Sequence, residues 1–380
     1  MKSNYKPLAK YIREVKGRNA DGELKTLLGI NIDKYYMPSV ANIVGTDMTV
    51  YKVVKQNQFA CNRMHVGRDK RLPVAMSNSE NDFIVSPAYD VFEITNEKEL
   101  LPEYLMMWFT RNEFDRNSWF YTDADVRGGL PWKSFIEMQL PFPHPDKQKE
   151  IVKEYNTIVN RITLNNQLIK KLEETAQAIY KQWFVDFEFP NEINKVTLNN
   201  YVGTNPQLTL RKNELATYVE MNDLTTSSMG ITGSIKRGFI GGSKFQNDDT
   251  LLARITPCLE NGKTAFVDIL DDGEIAAGST EFIVMRAKEN ISPYWVYCLA
   301  RDENFRSYAI SSMIGSSGRQ RVHEKYLEKY VLPEINSDVM NKFHKTVKPI
   351  FKMVNLKSVE NNKLGITKNL LLSKLAAIKN

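Results

Sequence analysis

The stretch from Lys147 to Phe184 reads KQKEIVKEYNTIVNRITLNNQLIKKLEETAQAIYKQWF and decides the fold. Apolar residues recur in it at alternating steps of four and three, and Asn165 is the single polar member of the series. An average period of about 3.5 residues predicts the seam of a coiled coil. The stretch contains no Pro or Gly, so we expect one long helix. The seam positions are Ile151, Tyr155, Ile158, Ile162, Asn165, Ile169, Leu172, Ala176, Ile179 and Trp183.

A second stretch near the end of the sequence keeps the same register, because Phe343 follows Ile151 by 192 residues and each later seam position repeats at that offset. The polar positions of this second seam are Lys357, Asn361 and Lys368. Its apolar positions are Phe343, Val347, Ile350, Val354, Leu364, Leu371 and Leu375.

The second stretch is the poorer helix former. Pro349 removes one backbone donor, and Gly365 costs about 1 kcal/mol relative to Ala in a helix interior. We therefore expect a kink or a late helix start near Pro349.

The repeat extends upstream of both stretches. Arg127 in VRGGLPWKSF and Arg319 in GRQRVHEKYL are 192 residues apart, and Pro141 and Pro333 share that offset just before the helices. Each half also contains short β-rich runs between turn signals, followed by a short amphipathic helix. The predicted strands are 49–54, 83–85, 89–94, 250–255, 264–267 and 281–286, and the predicted helices are 104–109 and 294–301.

The predicted fold class is α+β, with an internal pseudo-two-fold repeat. Two mixed α/β heads, residues 1–145 and 191–335, alternate with two helical spacers, residues 146–190 and 336–380. The two long helices are expected to pair as an antiparallel coiled coil, in which Asn165, Lys357 and Asn361 form a central polar layer that fixes register. Exposed polar positions on imperfect helices are the alternative. Two different heads on a rigid spacer suit a target with two features at a fixed separation, such as DNA half-sites one turn, about 34 Å, apart.

Composition places the chain among soluble globular proteins. It has 380 residues, of which 25% are charged and 42% hydrophobic, enough for two domains of ordinary size. No apolar run approaches the roughly 20 residues that a membrane-spanning helix needs, and the first residues lack the apolar core of a secretory signal. The three cysteines fit a reducing compartment. We expect a cytoplasmic protein that does not contact membranes.

The positive charge is unevenly distributed. The net charge is +6, but residues 339–380 carry nine lysines against the single acid Glu360, so this segment alone is +8 and the rest of the chain is −2. The basic character therefore lies in the C-terminal segment and in short local clusters.

The motifs of common enzymes are missing from the sequence. It contains no GxxxxGK[ST] phosphate loop, no GxGxxG after a strand and no GxSxG elbow. Cys61 and His65 have a spacing that could hold a metal on a helix, but two ligands do not make a site. We predict neither a catalytic residue nor a metal site.

The polar clusters favour nucleic-acid binding. Arg bonds guanine edges bidentately, Gln and Asn bond adenine, and Lys mostly neutralises phosphate. Arg127 and Arg319 occupy matching places in the two halves, although basic clusters are often only solvated faces. The candidate DNA contacts are Arg63, Arg68, Arg127, Lys236, Arg237, Arg254, Lys263, Arg319, Gln320 and Arg321.

The segment KLEETAQAIYKQWFVDFEFP at 171–190 resembles the central helical region of specificity subunits of type I restriction–modification enzymes. The residues that carry this resemblance run from Leu172 and Glu173 through Ala176–Lys181 to Trp183–Phe187. The segment GSTEFIVMR at 278–286 is similar to a strand of that family's recognition domains. The C-terminal helix departs from the pattern, since it lacks the Trp-Phe-Val-Asp-Phe string.

The resemblance implies a non-catalytic subunit. Each head would be a target recognition domain that binds one half of a bipartite, asymmetric site in double-stranded DNA. The helices would set the gap and dock two methylation subunits, directing adenine methylation, and two restriction subunits would add DNA cleavage. The chain would need no cofactor of its own, because the partners use S-adenosylmethionine, ATP and Mg²⁺. Alternatives are a helical adaptor that binds no DNA, a specificity subunit of a two-subunit methylating nuclease, and an unpaired copy that re-targets another system.

Overall fold

The computed structural model describes residues 5–41, 45–64, 66–123, 128–186, 194–316 and 318–377. The chain divides into two compact units. Unit 1 consists of Met1–Arg161 and Leu364–Asn380, and unit 2 consists of Ile162–Lys363. Each unit therefore includes a part of both long helices. The division into two heads and two helical spacers stays a prediction.

Unit 1 contains ten short strands and four short helices among the described residues, followed by the start of the first long helix. The strands are β1 Tyr5–Pro7, β2 Ile12–Val15, β3 Leu28–Ile30, β4 Tyr36–Pro38, β5 Lys52–Val54, β6 Phe59–Cys61, β7 Val74–Met76, β8 Phe83–Val85, β9 Asp90–Ile94 and β10 Gln139–Pro141. The helices are α1 Val66–Asp69, α2 Pro102–Phe109, α3 Asn112–Phe120, α4 Trp132–Glu137 and the long α5 Pro145–Tyr180.

The main sheet of unit 1 is antiparallel, with the strand order β2-β9-β6-β7. Strand β1 pairs with β10, next to the start of α5. The core is rich in aromatic rings: Phe59 stacks on Phe92 with ring centroids 5.1 Å apart, and Phe109 and Phe135 pack around them. Leu372 and Leu375, from the C-terminal part of the chain, belong to the same buried cluster.

Unit 2 contains ten strands among the described residues. They are β11 Lys195–Thr197, β12 Val202–Thr204, β13 Leu215–Val219, β14 Ile235–Gly238, β15 Ser243–Phe245, β16 Thr250–Ala253, β17 Thr264–Phe266, β18 Ala276–Gly278, β19 Phe282–Ala287 and β20 Val331–Pro333. Its helices are α6 Pro293–Arg301, α7 Glu303–Ser311, α8 Glu324–Leu327 and the long α9 Ser337–Lys374, most of which lies in this unit.

Two four-stranded sheets form the body of unit 2. One is antiparallel with the order β12-β19-β16-β17, and the other has the order β14-β13-β18-β15. The first repeats the strand order of the main sheet in unit 1, and β11 pairs with β20 as β1 pairs with β10. The core packs helix α6 against the long helices, with the fully buried Trp295 near Tyr180 and Phe184.

The expected late start of the second long helix is wrong. Helix α9 begins at Ser337 and continues through Pro349. Pro349 is exposed, whereas Val347, Phe351 and Val354 on either side of it are buried. Proline costs about 3 kcal/mol in a helix interior, and each buried apolar side chain contributes about 1.5–3 kcal/mol. The burial of the flanking residues therefore outweighs the cost of the proline.

Most predicted elements are present with shifted ends. The strand predicted at 49–54 begins at Lys52, because Met48–Val50 forms a 3₁₀ turn. Asp47 caps that turn by accepting a hydrogen bond from the Thr49 amide at 2.9 Å. The fold is thus mixed α and β. Within the part of the chain that the structure describes, no helix combines the length and apolar content needed to cross a bilayer.

Candidate nucleic-acid interface

A tight loop of unit 2 carries three of the candidate contacts. Ile314 and Arg321 exchange two backbone hydrogen bonds at 3.0 and 2.9 Å, and the Thr256 amide donates to the Gln320 carbonyl at 3.0 Å. Gly315 has a φ of +132°, and a Cβ there would lie 3.0 Å from the Arg319 carbonyl. The glycine therefore permits the sharp turn, which presents Arg319 as an exposed side chain.

Arg321 is held at the base of this loop. Its Nε donates to Glu281 Oε2 at 2.9 Å and its terminal nitrogen donates to Glu281 Oε1 at 2.6 Å. A bidentate pair of this kind fixes a guanidinium in one orientation. Arg321 thus joins the loop to the residue before β19, while Gln320 beside it is half-buried.

Arg254 lies next to the same base. Its amide donates to the Glu281 carbonyl at 2.9 Å, and its carbonyl accepts from the Val322 amide at 3.0 Å. The side chain is 21% exposed and approaches Glu324 at 3.9 Å. Its Nε, Thr256 Oγ1 and Glu324 Oε2 are buried and have no hydrogen-bond partner among the described residues. Buried polar atoms normally have partners, so this cluster has hydrogen-bonding capacity that the described residues do not use.

Lys263 follows a short loop between β16 and β17. Its amide donates to the Cys258 carbonyl at 3.0 Å, and its carbonyl accepts from the Ala253 amide at 3.1 Å. The ammonium donates to the Met221 carbonyl at 2.9 Å. The structure therefore uses Lys263 to tie this loop to the turn at Met221–Asp223.

Lys236 and Arg237 lie on β14, in the other sheet of unit 2. Lys236 pairs with Glu274 at 2.6 Å, and the Arg237 guanidinium stacks 3.3 Å from the centroid of the Tyr218 ring. Burial alone would raise the pKa of Glu274, but hydrogen bonds from Lys236, Thr217 and the Asp271 amide lower it to about 2. Lys236 and Arg237 therefore belong to a different sheet of unit 2 from the strand β16 that precedes Arg254.

The candidates of unit 1 are differently placed. Arg63 pairs with Asp90 at 2.6 Å, donates to the Leu130 carbonyl and lies 5.5 Å over the Trp132 ring. Arg68 is exposed and pairs with its neighbour Asp69 at 2.7 Å. Arg127 lies outside the described residues.

Exposed aromatic rings at the end of α3 are functional candidates beyond the charged residues predicted from the sequence. Phe120 is 79% exposed, Trp119 and Tyr121 are also exposed, and Lys70 lies 5.1 Å over the Trp119 ring. The helical period could have revealed them, because burial of Phe114 and Ser118 leaves positions 119–121 outside. Aromatic rings beside cations suit stacking on nucleic-acid bases.

The long helices pair within unit 2 through a polar contact. Asn165 Nδ2 donates to Asn361 Oδ1 at 2.9 Å, and Asn361 Nδ2 donates to Asn166 Oδ1 at 2.8 Å. The Trp183 and Phe343 rings meet with centroids 6.2 Å apart. Trp183 follows Asn165 along α5, whereas its partner Phe343 precedes Asn361 along α9, by the same number of residues. The two contacts therefore have an antiparallel register.

Every predicted seam residue is buried or half-buried. The buried ones are Ile151, Asn165, Ile169, Ala176, Phe343, Val347, Val354 and Leu375, and the half-buried ones are Tyr155, Ile158, Ile162, Leu172, Ile179, Trp183, Ile350, Lys357, Asn361, Leu364, Lys368 and Leu371. Lys357 pairs with Glu360 on its own helix at 2.7 Å. The exposed apolar residues of these helices, which the seam pattern missed, are Leu164, Leu168, Met353, Leu356, Val359, Ile366 and Leu370.

The described residues offer no group of three or more His, Cys, Asp or Glu arranged to hold a metal ion. Cys61 is fully buried in β6, and burial raises the pKa of its thiol. His65, its predicted neighbour, lies outside the described residues.

Comparison with solved structures relates the fold to one class of protein. The structure of a type I restriction–modification system S subunit from M. genitalium matches 98% of this chain and 95% of its own, with a TM-score of 0.60 and 13% sequence identity. At that identity the match concerns the fold.

Curated relatives of the same class match the sequence. The HindI specificity subunit of Haemophilus influenzae is 27% identical over 160 residues, which is 41% of this chain and 34% of the relative. The EcoEI specificity subunit of Escherichia coli is 28% identical over 156 residues, 39% of this chain and 26% of the relative. The matched part thus spans about a third or less of these relatives. No family model matches the chain. The resemblance predicted from the sequence is confirmed, because these relatives and the fold neighbour are type I specificity subunits.

Proposed function

We propose that this chain is the DNA-sequence-specificity subunit of a type I restriction–modification complex. The observation that carries the proposal is agreement between two independent comparisons, one of sequence and one of fold over 98% of the chain. The relatives are named specificity subunits, and the fold neighbour is an S subunit.

In this proposal residues 1–145 and 191–335 are two target recognition domains, each binding one half of a bipartite asymmetric site. The different surroundings of the two sets of candidate arginines support different half-sites, since Arg63 is engaged by Asp90 whereas Arg254 keeps an unpartnered Nε among the described residues. Guanidinium groups positioned by a rigid frame suit base edges and phosphates.

The long helices serve as the spacer in the proposed complex. An antiparallel coiled coil of α5 and α9 sets the gap and docks two methylation subunits. The exposed apolar residues of the helices, among them Leu164, Leu168 and Leu356, are the proposed docking positions. An exposed apolar set on a helix suits a protein partner.

The chain itself is proposed to be non-catalytic. S-adenosylmethionine, ATP and Mg²⁺ then belong to the methylation and restriction subunits, which carry out adenine methylation and DNA cleavage. The complex would act on DNA in the cytoplasm and serve in phage defence.

Mapping of N6-methyladenine tests the proposal. The chain is expressed with its methylation subunit in cells that lack other adenine methyltransferases, and plasmid DNA is sequenced for methylation. A new mark in a motif split by a fixed gap, present only with the chain, is the expected result. A soluble complex that leaves no mark would refute the proposal and favour a helical adaptor that binds no DNA.

A further inference from the structure

Glu173 of helix α5 is bound by a loop of unit 2. Its Oε1 accepts hydrogen bonds from Ser228 Oγ and from the Met229 amide, both at 2.9 Å. Tyr297 Oη of helix α6 donates to its Oε2 at 3.4 Å. One carboxylate thus joins the long helix, a loop and a second helix.

The same helices are tied by further polar contacts. Gln177 Nε2, one turn further along α5, donates to the Cys298 carbonyl at 2.9 Å. Arg301, whose charge acts on Glu173, donates to the carbonyls of Thr226 at 3.1 Å and Gly262 at 2.9 Å. The carboxylate and Arg301 therefore hold both the loop at Thr225–Met229 and the loop that ends at Gly262.

Glu173 is half-buried, and a carboxylate that loses part of its hydration costs free energy, so apolar packing does not account for a charged residue at this position. Burial raises the pKa of Glu173, and its hydrogen bonds with Met229, Ser228 and Tyr297 and the charge of Arg301 oppose that effect. A buried carboxylate is tolerated when its oxygens are satisfied by donors. Here the donors come from two segments, the loop at Thr225–Met229 and helix α6, so the carboxylate selects one placement of both relative to α5.

The segments that Glu173 holds lead to the candidate DNA contacts. Met229 accepts a hydrogen bond at its carbonyl from the Phe266 amide at 2.9 Å, in strand β17. Gly262 precedes Lys263, whose carbonyl accepts from the Ala253 amide, next to Arg254. Hydrogen bonds and short backbone segments together therefore connect α5 to the loop and strand end that carry Lys263 and Arg254.

We infer that Glu173 is a positioning residue for the second recognition domain, fixing the Pro257–Lys263 loop and Arg254 on helix α5 so that the second half-site is read strictly. This inference rests on the proposed function. The sequence repeat places Gly365 at the corresponding position of α9, so the repeat supplies no equivalent carboxylate from that helix. The effect of Glu173 is therefore specific to the second half of the DNA site.

The test compares Glu173→Gln with Glu174→Gln in the complex with the methylation subunit. Glu174 is the next residue of α5, is 49% exposed and pairs with Lys171 at 2.9 Å. Methylation rates are measured on duplexes with the correct site, with single substitutions in either half, and with a gap changed by one base pair. Glu173→Gln should lower discrimination at the second half-site and against the altered gap about ten-fold, as expected for loss of one charged hydrogen bond. Discrimination at the first half-site, and all values for Glu174→Gln, should stay as in the wild type.

Hydrogen exchange of the same complexes gives a readout that needs no DNA. Amides of 225–230 and 262–266 should exchange about ten-fold faster in Glu173→Gln and unchanged in Glu174→Gln. If Glu173→Gln does not fold, Ser228→Ala, which removes one donor to Glu173, takes its place. It must then lower discrimination at the second half-site, by a smaller factor, and leave discrimination at the first half-site unchanged.

Unchanged exchange, or equal loss of discrimination at both half-sites, would overturn the positioning role. A wild-type complex that methylates nothing would refute the proposed function. The exchange experiment would then still decide whether Glu173 holds the loops.

Discussion

Asn165 of α5 donates a hydrogen bond to Asn361 of α9 at 2.9 Å, and Asn165 is only 3% exposed. Asn361 in turn donates to Asn166 at 2.8 Å. Both amides therefore have hydrogen-bond partners in a seam that is mostly apolar. A polar pair at such a position costs stability but penalises every register in which the two amides do not meet.

Removing one or both of these amides should have opposite effects on stability. Asn361→Leu leaves a buried amide with an unpaired donor and should lower the free energy of unfolding by about 1–3 kcal/mol. The double variant Asn165→Leu, Asn361→Leu removes both polar groups and should be at least as stable as the wild type. Chemical denaturation of the three proteins measures the difference. A double variant less stable than the wild type would show that the pair contributes net stability rather than specificity alone.

Arg319 and Arg321 should separate DNA binding from stability. Arg319 is exposed, so Arg319→Ala should leave the melting temperature unchanged. If Arg319 contacts a base, the substitution should weaken methylation of the second half-site by about 1–3 kcal/mol, with relaxed preference at one base pair. Arg321→Ala removes the bidentate pair with Glu281 and should lower the melting temperature slightly, since solvent screens an exposed ion pair.

Thermal melting and methylation of substituted duplexes check this pair of variants. Equal weakening of Arg319→Ala on every duplex would identify Arg319 as a phosphate contact instead. A melting temperature that falls with Arg319→Ala and not with Arg321→Ala would contradict the division of roles.

The seam of the helices was predictable because a 3.5-residue period is local information. The same period cannot show that Phe351 and Tyr180 are buried outside the seam, since they pack on rings of unit 2 such as Tyr294 and Trp295. Side chains around the candidate site depend on distant partners as well. Arg321 and Glu281 are 40 residues apart, and Arg63 and Asp90 are 27 apart. The folded chain brings each arginine to its carboxylate. The sequence could therefore indicate the arginines, but not which of them already form ion pairs within the protein.

The lysines of α9 should contribute little to DNA binding if this helix contacts protein partners. Lys342, Lys345 and Lys348 are exposed, and the triple Gln variant removes three charges from the +8 segment. The slope of log Kd against log salt should change by less than one, whereas three lost phosphate contacts would change it by about 2.7. Titration of labelled duplex DNA at several salt concentrations measures the slope. A change near the larger value would place this face of α9 on DNA.

Asp268 should make unit 2 less stable as the pH rises. Burial raises its pKa to about 6, and the charge of Asp248 adds to the effect while a hydrogen bond with Asn355 opposes it. Because the folded state binds the proton more tightly than the unfolded chain, with its value of 3.8, stability falls between about pH 4 and pH 6 and stays low above it. Asp268→Asn removes this loss and should stabilise the protein at pH 7.5 by at most about 3 kcal/mol, with the difference vanishing near pH 4. Asp268 and the exposed Asp272 line one cleft of unit 2. Asp272→Asn is therefore the matched control, and melting curves from pH 4 to 8 compare the two variants. A variant Asp268→Asn that is destabilised at neutral pH would mean that the ionised carboxylate is favoured by its surroundings, and the sign of the effect would be reversed.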